Sequence, residues 1–202
     1  MKETSDFAIA ELIVFQYALS DLEMEQVAGY LQGRLTKGFP GQPLTWLLAA
    51  DFEPEKGTWR NRGSGDDLEQ VVLEGRPAVS KAAGHGAMVP VAAVVGSASV
   101  RLELGPIMPA TSSAWTICSL TRYAGERRGR ILTGINRNWI HGHWKGKAGV
   151  AHYAGWKTTA DNKVFPVTNW VAVCGKNRGG ARGSVGKAGN ILVNGEKAGT
   201  AQ

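Results

Sequence analysis

A chain of 202 residues, 43% hydrophobic and 20% charged, suits one sizeable globular domain and not a disordered segment. No run of 18 apolar residues occurs, so no membrane-spanning helix is expected. The net charge of +6 is unevenly placed: residues 1–121 hold 9 Lys/Arg and 14 Asp/Glu, a balance of −5, while residues 122–202 hold 14 and 3, a balance of +11.

The first element is FAIAELIVFQ, residues 7–16, a strand with both faces largely apolar. LSDLEMEQVAGYLQGRL then turns helical. Ser20 is placed to cap it, with Glu23 completing a capping box. Leu22, Val27, Tyr30 and Leu31 form the expected apolar stripe, the helix should end between Gly33 and Gly38, and Pro40 prevents continuation. From Leu44 onward the pattern changes to short strand candidates: TWLLAADF, EQVVLEG, MVPVAAVVG, SVRLELG, AWTICSLTRY, GRILTGI, NWIHGHW, GVAHYAGW, NWVAVCG and NILVNG. Glycine or Asn/Asp/Ser clusters separate them at the spacing of an all-β sandwich.

Cys118 and Cys174 each lie in such a strand. Buried free thiols are the expected state, with one bridge between neighbouring strands as the alternative. The segment KNRGGARGSVGKAGN, residues 176–190, is a Gly-rich basic loop. Lys176, Arg178, Arg182 and Lys187 make it a candidate anion-binding loop for an acidic or sulfated partner. It lacks the Gly-Lys-Ser/Thr ending of a nucleotide-binding loop, and no nucleic-acid motif is present.

NWIHGHWKGKAGVAHYAGW, residues 138–156, concentrates the chemistry. It holds three of the four histidines. Lys145-Gly146 is a two-residue turn candidate whose register pairs Trp144 with Lys147 and His141 with Val150. His152 then lies opposite Trp139, on one face with His141 and His143. Three imidazoles there suit zinc or copper. They also suit a polar sheet face, and they suit the hydrogen-bonding part of a glycan site better than a metal. For the glycan site, Trp139, Tyr153 and Trp156 offer ring faces to a pyranose, and Asn138 offers an amide. The candidate ligand-binding set is therefore Asn138, Trp139, His141, His143, His152, Tyr153 and Trp156.

Several of these segments carry a resemblance. WVAVCGKN followed by GNILVNGEKAGT resembles a paired-strand signature of laminin G-like domains in the concanavalin A-like lectin/glucanase superfamily. AWTICSLTRY resembles an early core strand of that family. LLAADFEPEKGTWRNRGSGD resembles its opening. SDFAIAELIVFQYALSDLEMEQVAGYLQ resembles the strand and short helix that close such a domain, yet here it comes first. The resulting division is residues 1–37 as a closing element, 38–43 as a linker and 44–202 as the main body. The closing element completes its own sandwich by circular permutation, completes a neighbour's by swapping, or marks a slice of a tandem protein; own closure is the favoured reading.

The resemblance implies a jelly-roll β-sandwich with a recognition role at a concave sheet face and rim loops. Its implied ligands are a glycan or a protein, and its implied setting is extracellular or the cell surface, although MKETSDFAIAELIVF shows no signal peptide. Calcium is the ion it implies, with Asp51, Asp66, Asp67, Asp161 and Asn162 as candidates by type. The family's glucanases carry Glu-x-Asp-x-x-Glu and its lyases Gln-x-His; neither run occurs, so the expected role is non-catalytic. The rivals are a structural subunit docking in an oligomer or larger assembly, and a carbohydrate-active enzyme with other residues.

Overall fold

The computed structural model describes residues 3–33, 40–109, 114–135, 137–177 and 191–198. In chain order it contains β1 (Ser5–Phe15), α1 (Asp21–Leu31), β2 (Thr45–Leu48), a 3-10 turn at Ala49–Asp51, β3 (Phe52–Glu53) and β4 (Thr58–Trp59). There follow β5 (Val72–Glu74), β6 (Ala78–Gly84), β7 (Ala87–Gly96), β8 (Arg101–Leu102), β9 (Thr116–Arg128) and β10 (Leu132–Thr133). The chain then forms β11 (Trp139–Trp144), β12 (Lys147–Tyr153), β13 (Val171–Lys176), β14 (Ile191–Val193) and β15 (Glu196–Lys197). The architecture is an all-β sandwich with one short helix.

The large sheet has the order β15-β14-β13-β9-β1-β7-β6, with β2 also on β1. One edge of β1 pairs with β9 along its length. The other edge is shared: β7 takes Phe7–Ile9 and β2 takes Glu11–Val14. Because β2 occupies that edge from Glu11 onward, β7 parts from β1 beyond Val94. The β6–β7 hairpin then curls across the sheet, and its tip is tied to the far side, where the Trp170 N–H donates to the His85 carbonyl (2.9 Å). Residues 1–37 therefore contain the strand at the middle of the large sheet, joined on both edges to strands of residues 44–202.

The second layer is the antiparallel sheet β10-β11-β12, which packs on β9 and β13. Between the layers lies the main core. Phe7, Ile9, Leu12 and Val14 of β1 meet Ile117, Val171 and Val173 of its neighbours and Ala148, Ala151 and Tyr153 of β12. Alternation explains each pair, Phe7 with Ile9 and Leu12 with Val14, and the register shift against β9 between Ile9 and Glu11 moves the inward set from odd to even positions.

The other face of β1 supplies Ile13 and Phe15 to a smaller core under α1. Ser20 and Glu23 form the expected capping box. Leu19 and Met24, both fully buried, add the hydrophobic staple at the same helix start. The buried stripe is Met24, Val27, Ala28 and Leu31, not one running through Leu22, which is 65% exposed. Its spacing of three, one and three keeps those side chains on one line, whereas Leu22 falls to the solvent side. Cys118 and Cys174 face each other across β9 and β13 beneath the helix and form a disulfide.

Candidate functional site

The hairpin of β11 and β12 turns at Lys145-Gly146, as its sequence suggests, with both residues at positive φ (45° and 75°). This is the primed turn that matches strand twist. Trp144 pairs with Lys147 and His143 with Ala148, but the register then slips: Gly142 pairs with Val150 and His141 with Ala151. Gly149 is the extra residue of a β-bulge, at φ +84°. A one-residue slip exchanges the faces of everything beyond it. His152 therefore pairs with Ile140 and not with Trp139, and the three histidines do not share a face.

His141, His143, Trp139 and Tyr153 point inward. His141 and His143 are fully buried, and desolvation pushes each imidazole down to about 3. The neighbouring His141 adds slightly to the effect at His143, while the Val173 backbone opposes it at His141. The Tyr153 hydroxyl, held protonated by burial, is hydrogen-bonded with His141 Nδ1 (2.5 Å). His143 Nδ1 lies 3.4 Å from Thr121 Oγ1, and its ring meets Tyr123 edge-on at 4.7 Å. Trp139, half-buried, stacks on His141 and on Tyr153 at 5.7 and 5.3 Å. This row is polar and aromatic packing between the two layers, and neither histidine is open to a ligand from solvent.

The outward face keeps the rest. Trp144 and Trp156 meet edge to face at 5.2 Å, and His152 stands edge-on to Trp156 at 5.4 Å. Lys145 and Lys147 lie over the Trp144 ring at 5.0 and 5.5 Å. The Trp144 indole N–H points to Glu3 Oε1 (3.4 Å), and Glu3 is paired with Arg130 (2.9 Å). Asn138 is exposed, and its carbonyl lies 3.0 Å from His152 Nδ1. The half-exposed rings, one imidazole, one amide and a basic rim thus converge on one surface. Trp144 and Lys145 were missed as site residues because only the bulge shows which side of the hairpin stays open.

Lys176 is fully buried, its ammonium donating to the Leu19 carbonyl (2.8 Å) and to Asp21 (2.9 Å). That double contact holds β13 to the start of α1, and Lys176 and Lys197 together keep the Asp21 carboxyl below its ordinary range. Arg178, Arg182 and Lys187 lie outside the described residues. The calcium candidates do not converge. Asp51 is held by Arg62, Asp67 accepts the Asn61 N–H, and the Asn162 amide is engaged by Ala148 and Val164. Among the described residues no group of three or more His, Cys, Asp or Glu side chains is gathered as a metal would require.

A further ionisable group is buried where α1 and β2 meet β1. Glu11 is 8% exposed and accepts a 2.6 Å hydrogen bond from the Trp46 indole. Desolvation drives its carboxyl up to about 7, against the opposing pull of Trp46, Tyr30 and Arg62. Arg62, itself anchored by Asp51, lies over the Trp46 ring at 5.9 Å. The cluster joins helix to sheet.

No family model, curated protein or solved structure matches the chain.

Proposed function

We propose that the chain is a non-catalytic recognition module, as its laminin G-like segments suggest, and that it binds a glycan on the outward face of β11 and β12. The observation that carries this reading is the pairing of two half-exposed indoles, Trp144 and Trp156, with His152 and the exposed Asn138 beside them. Ring faces attract the C–H side of a pyranose, while imidazole and amide hydrogen-bond its hydroxyls. The lysines around Trp144 favour a sugar carrying negative charge. The Cys118–Cys174 disulfide supports an oxidising compartment, where extracellular glycans are met.

A glycan array of neutral and sulfated sugars, followed by titration calorimetry, tests the proposal. Trp156→Ala and Trp144→Ala should each weaken binding roughly tenfold or more while the far-ultraviolet spectrum stays unchanged. Retained affinity in both folded variants would remove the site from this face. No binding by the parent chain would remove the glycan altogether. A second reading, a structural subunit, is favoured by β6, whose seven residues are all exposed along a sheet edge. Concentration-dependent association without glycan affinity would select it.

A further inference from the structure

The surface around the Lys145-Gly146 turn is rich in cations. The Gly146 N–H donates to the Arg128 carbonyl (2.7 Å), which joins the turn to the segment that carries Arg128 and Arg130. Lys145 and Lys147 lie over the Trp144 ring, and among the described residues neither is in an ion pair. Among the described residues, the carboxylate hydrogen-bonded at the edge of that ring is Glu3.

Glu3 does not belong to the hairpin. It precedes β1 and is brought there by the pairing of that strand with β9: Ser5 stands opposite Arg128, and the Gly129 N–H donates to the Thr4 carbonyl (3.1 Å). Its two carboxylate oxygens are divided between two donors. Oε2 accepts from Arg130 Nε (2.9 Å), and Oε1 faces the Trp144 indole N–H (3.4 Å). Both partners of the ion pair stay open to solvent, Glu3 at 29% and Arg130 at 20%. The bonds that tie Thr4 and Ser5 to β9 are made without the Glu3 side chain, so that side chain can turn away while β1 stays paired. A carboxylate is therefore already seated at the edge of the ring on which a sugar would stack, within reach of exchange.

We propose that Arg130 and the Trp144 indole N–H form an acid subsite for a uronic acid residue, and that Glu3 is a built-in competitor which the sugar carboxylate displaces. This rests on the glycan reading of the Trp144–Trp156 surface and names the class of sugar. A carboxylate is favoured because the occupant is one: two coplanar oxygens satisfy two N–H donors, and the guanidinium makes one of the bonds charge-assisted. A sugar is favoured over an acidic peptide because the donors border Trp144 and Trp156, whose ring faces suit the C–H side of a pyranose. Lys145 and Lys147 add an attraction that the single Glu3 charge does not cancel. The exchange replaces one exposed ion pair with another. Exposed pairs are weak, so displacing Glu3 should cost the ligand no more than about fivefold in affinity.

The test uses oligosaccharides of glucuronate, galacturonate, mannuronate and guluronate, each beside its neutral methyl ester, with a sulfated galactose oligosaccharide and triglutamate as further anions. Affinities of the parent, Glu3→Ala, Arg130→Gln and Trp156→Ala chains would be measured by titration calorimetry at low ionic strength. The Trp144 indole N–H resonance, assigned with Trp144→Phe, reports on the subsite directly. At least one uronate should bind the parent more tightly than its ester does. Glu3→Ala should tighten that uronate about threefold to fivefold and leave the ester unchanged. The same change should move the Trp144 resonance, and bound uronate should return it toward the parent position. Arg130→Gln should weaken the uronate roughly tenfold and spare the ester. Equal affinity for uronates and esters, with both lost in a folded Trp156→Ala chain, would overturn the acid subsite and leave the glycan reading standing. A uronate preference that Glu3→Ala does not alter, or tighter binding of the sulfated sugar or of triglutamate than of every uronate, would overturn the proposal as well. Binding of no sugar by the parent or by Glu3→Ala would remove the glycan reading together with it.

Discussion

At the scale of single residues, three buried titrating groups set how the fold responds to acid, and they oppose one another. Glu11 is raised from 4.5 to about 7 in the folded chain, so its stabilising protonated form is complete below pH 4.5 and is lost as pH rises through 7. Glu11→Gln should remove that loss. The variant should exceed the parent by roughly 3 kcal/mol at pH 8 and match it near pH 4.5, read from urea midpoints. His141 and His143 act in the other direction. Their folded values are depressed from 6.5 to about 3, so their contribution is complete above pH 6.5 and is lost as pH falls toward 3. At pH 5 this amounts to roughly 2 kcal/mol for each imidazole. The Gln variant, freed of the compensating carboxyl, should therefore lose stability more steeply than the parent between pH 7 and 5. An identical slope in the two proteins would show that Glu11 does not titrate in that range.

At the scale of elements, the β11–β12 hairpin depends on Gly149. A Cβ there would approach Lys163 Cβ at 2.7 Å and Val193 Cγ1 at 2.9 Å, on a backbone already at positive φ. Gly149→Ala should destabilise by about 2 kcal/mol or more, measured by thermal or urea unfolding, with the strain alone accounting for 1–2. The same bulge marks where the sequence ceased to be readable. The capping box at Ser20 and Glu23, the Lys145-Gly146 turn and most strands were legible because each is a local pattern. The extra residue was not, because Gly149 is one glycine among 27 and its conformation is set by what packs beside it. Thus Trp139 and His141 were legible as strand neighbours but not as interior ones. β6 escaped for a different reason: an Ala-rich strand exposed on both faces has no alternation to read.

At the scale of the whole molecule, two devices join the layers of chain around the central strand. One is the Lys176 contact between β13 and α1; the other is the disulfide, which spans a sequence separation of 56. On the chain-entropy account, closing a loop of that length is worth about 4 kcal/mol, with natural bridges delivering 2–5. Cys118→Ala/Cys174→Ala should lower the urea midpoint by a corresponding amount while leaving the denaturant slope nearly unchanged or slightly raised. Equal stability of the reduced and oxidised chains would mean that the α1 core alone holds β9 to β13. The acidic first half and basic second half also meet in this fold, since β1 and α1 lie directly against β9 and β13.

The position of β1 has a temporal consequence. Its principal partner follows in the chain more than a hundred residues later, since Ile9 pairs with Thr121. During synthesis the apolar ribbon FAIAELIVF emerges well before β9 and waits, without that partner, until β9 has been made. Closing so long a loop before any contact rewards it makes for slow folding, and the waiting strand is open to pairing with another chain in the interval. Refolding from urea should accordingly be limited by the docking of β1, and yield should fall with protein concentration. Inside a cell, the hazard of this molecule lies in the order in which its parts arrive.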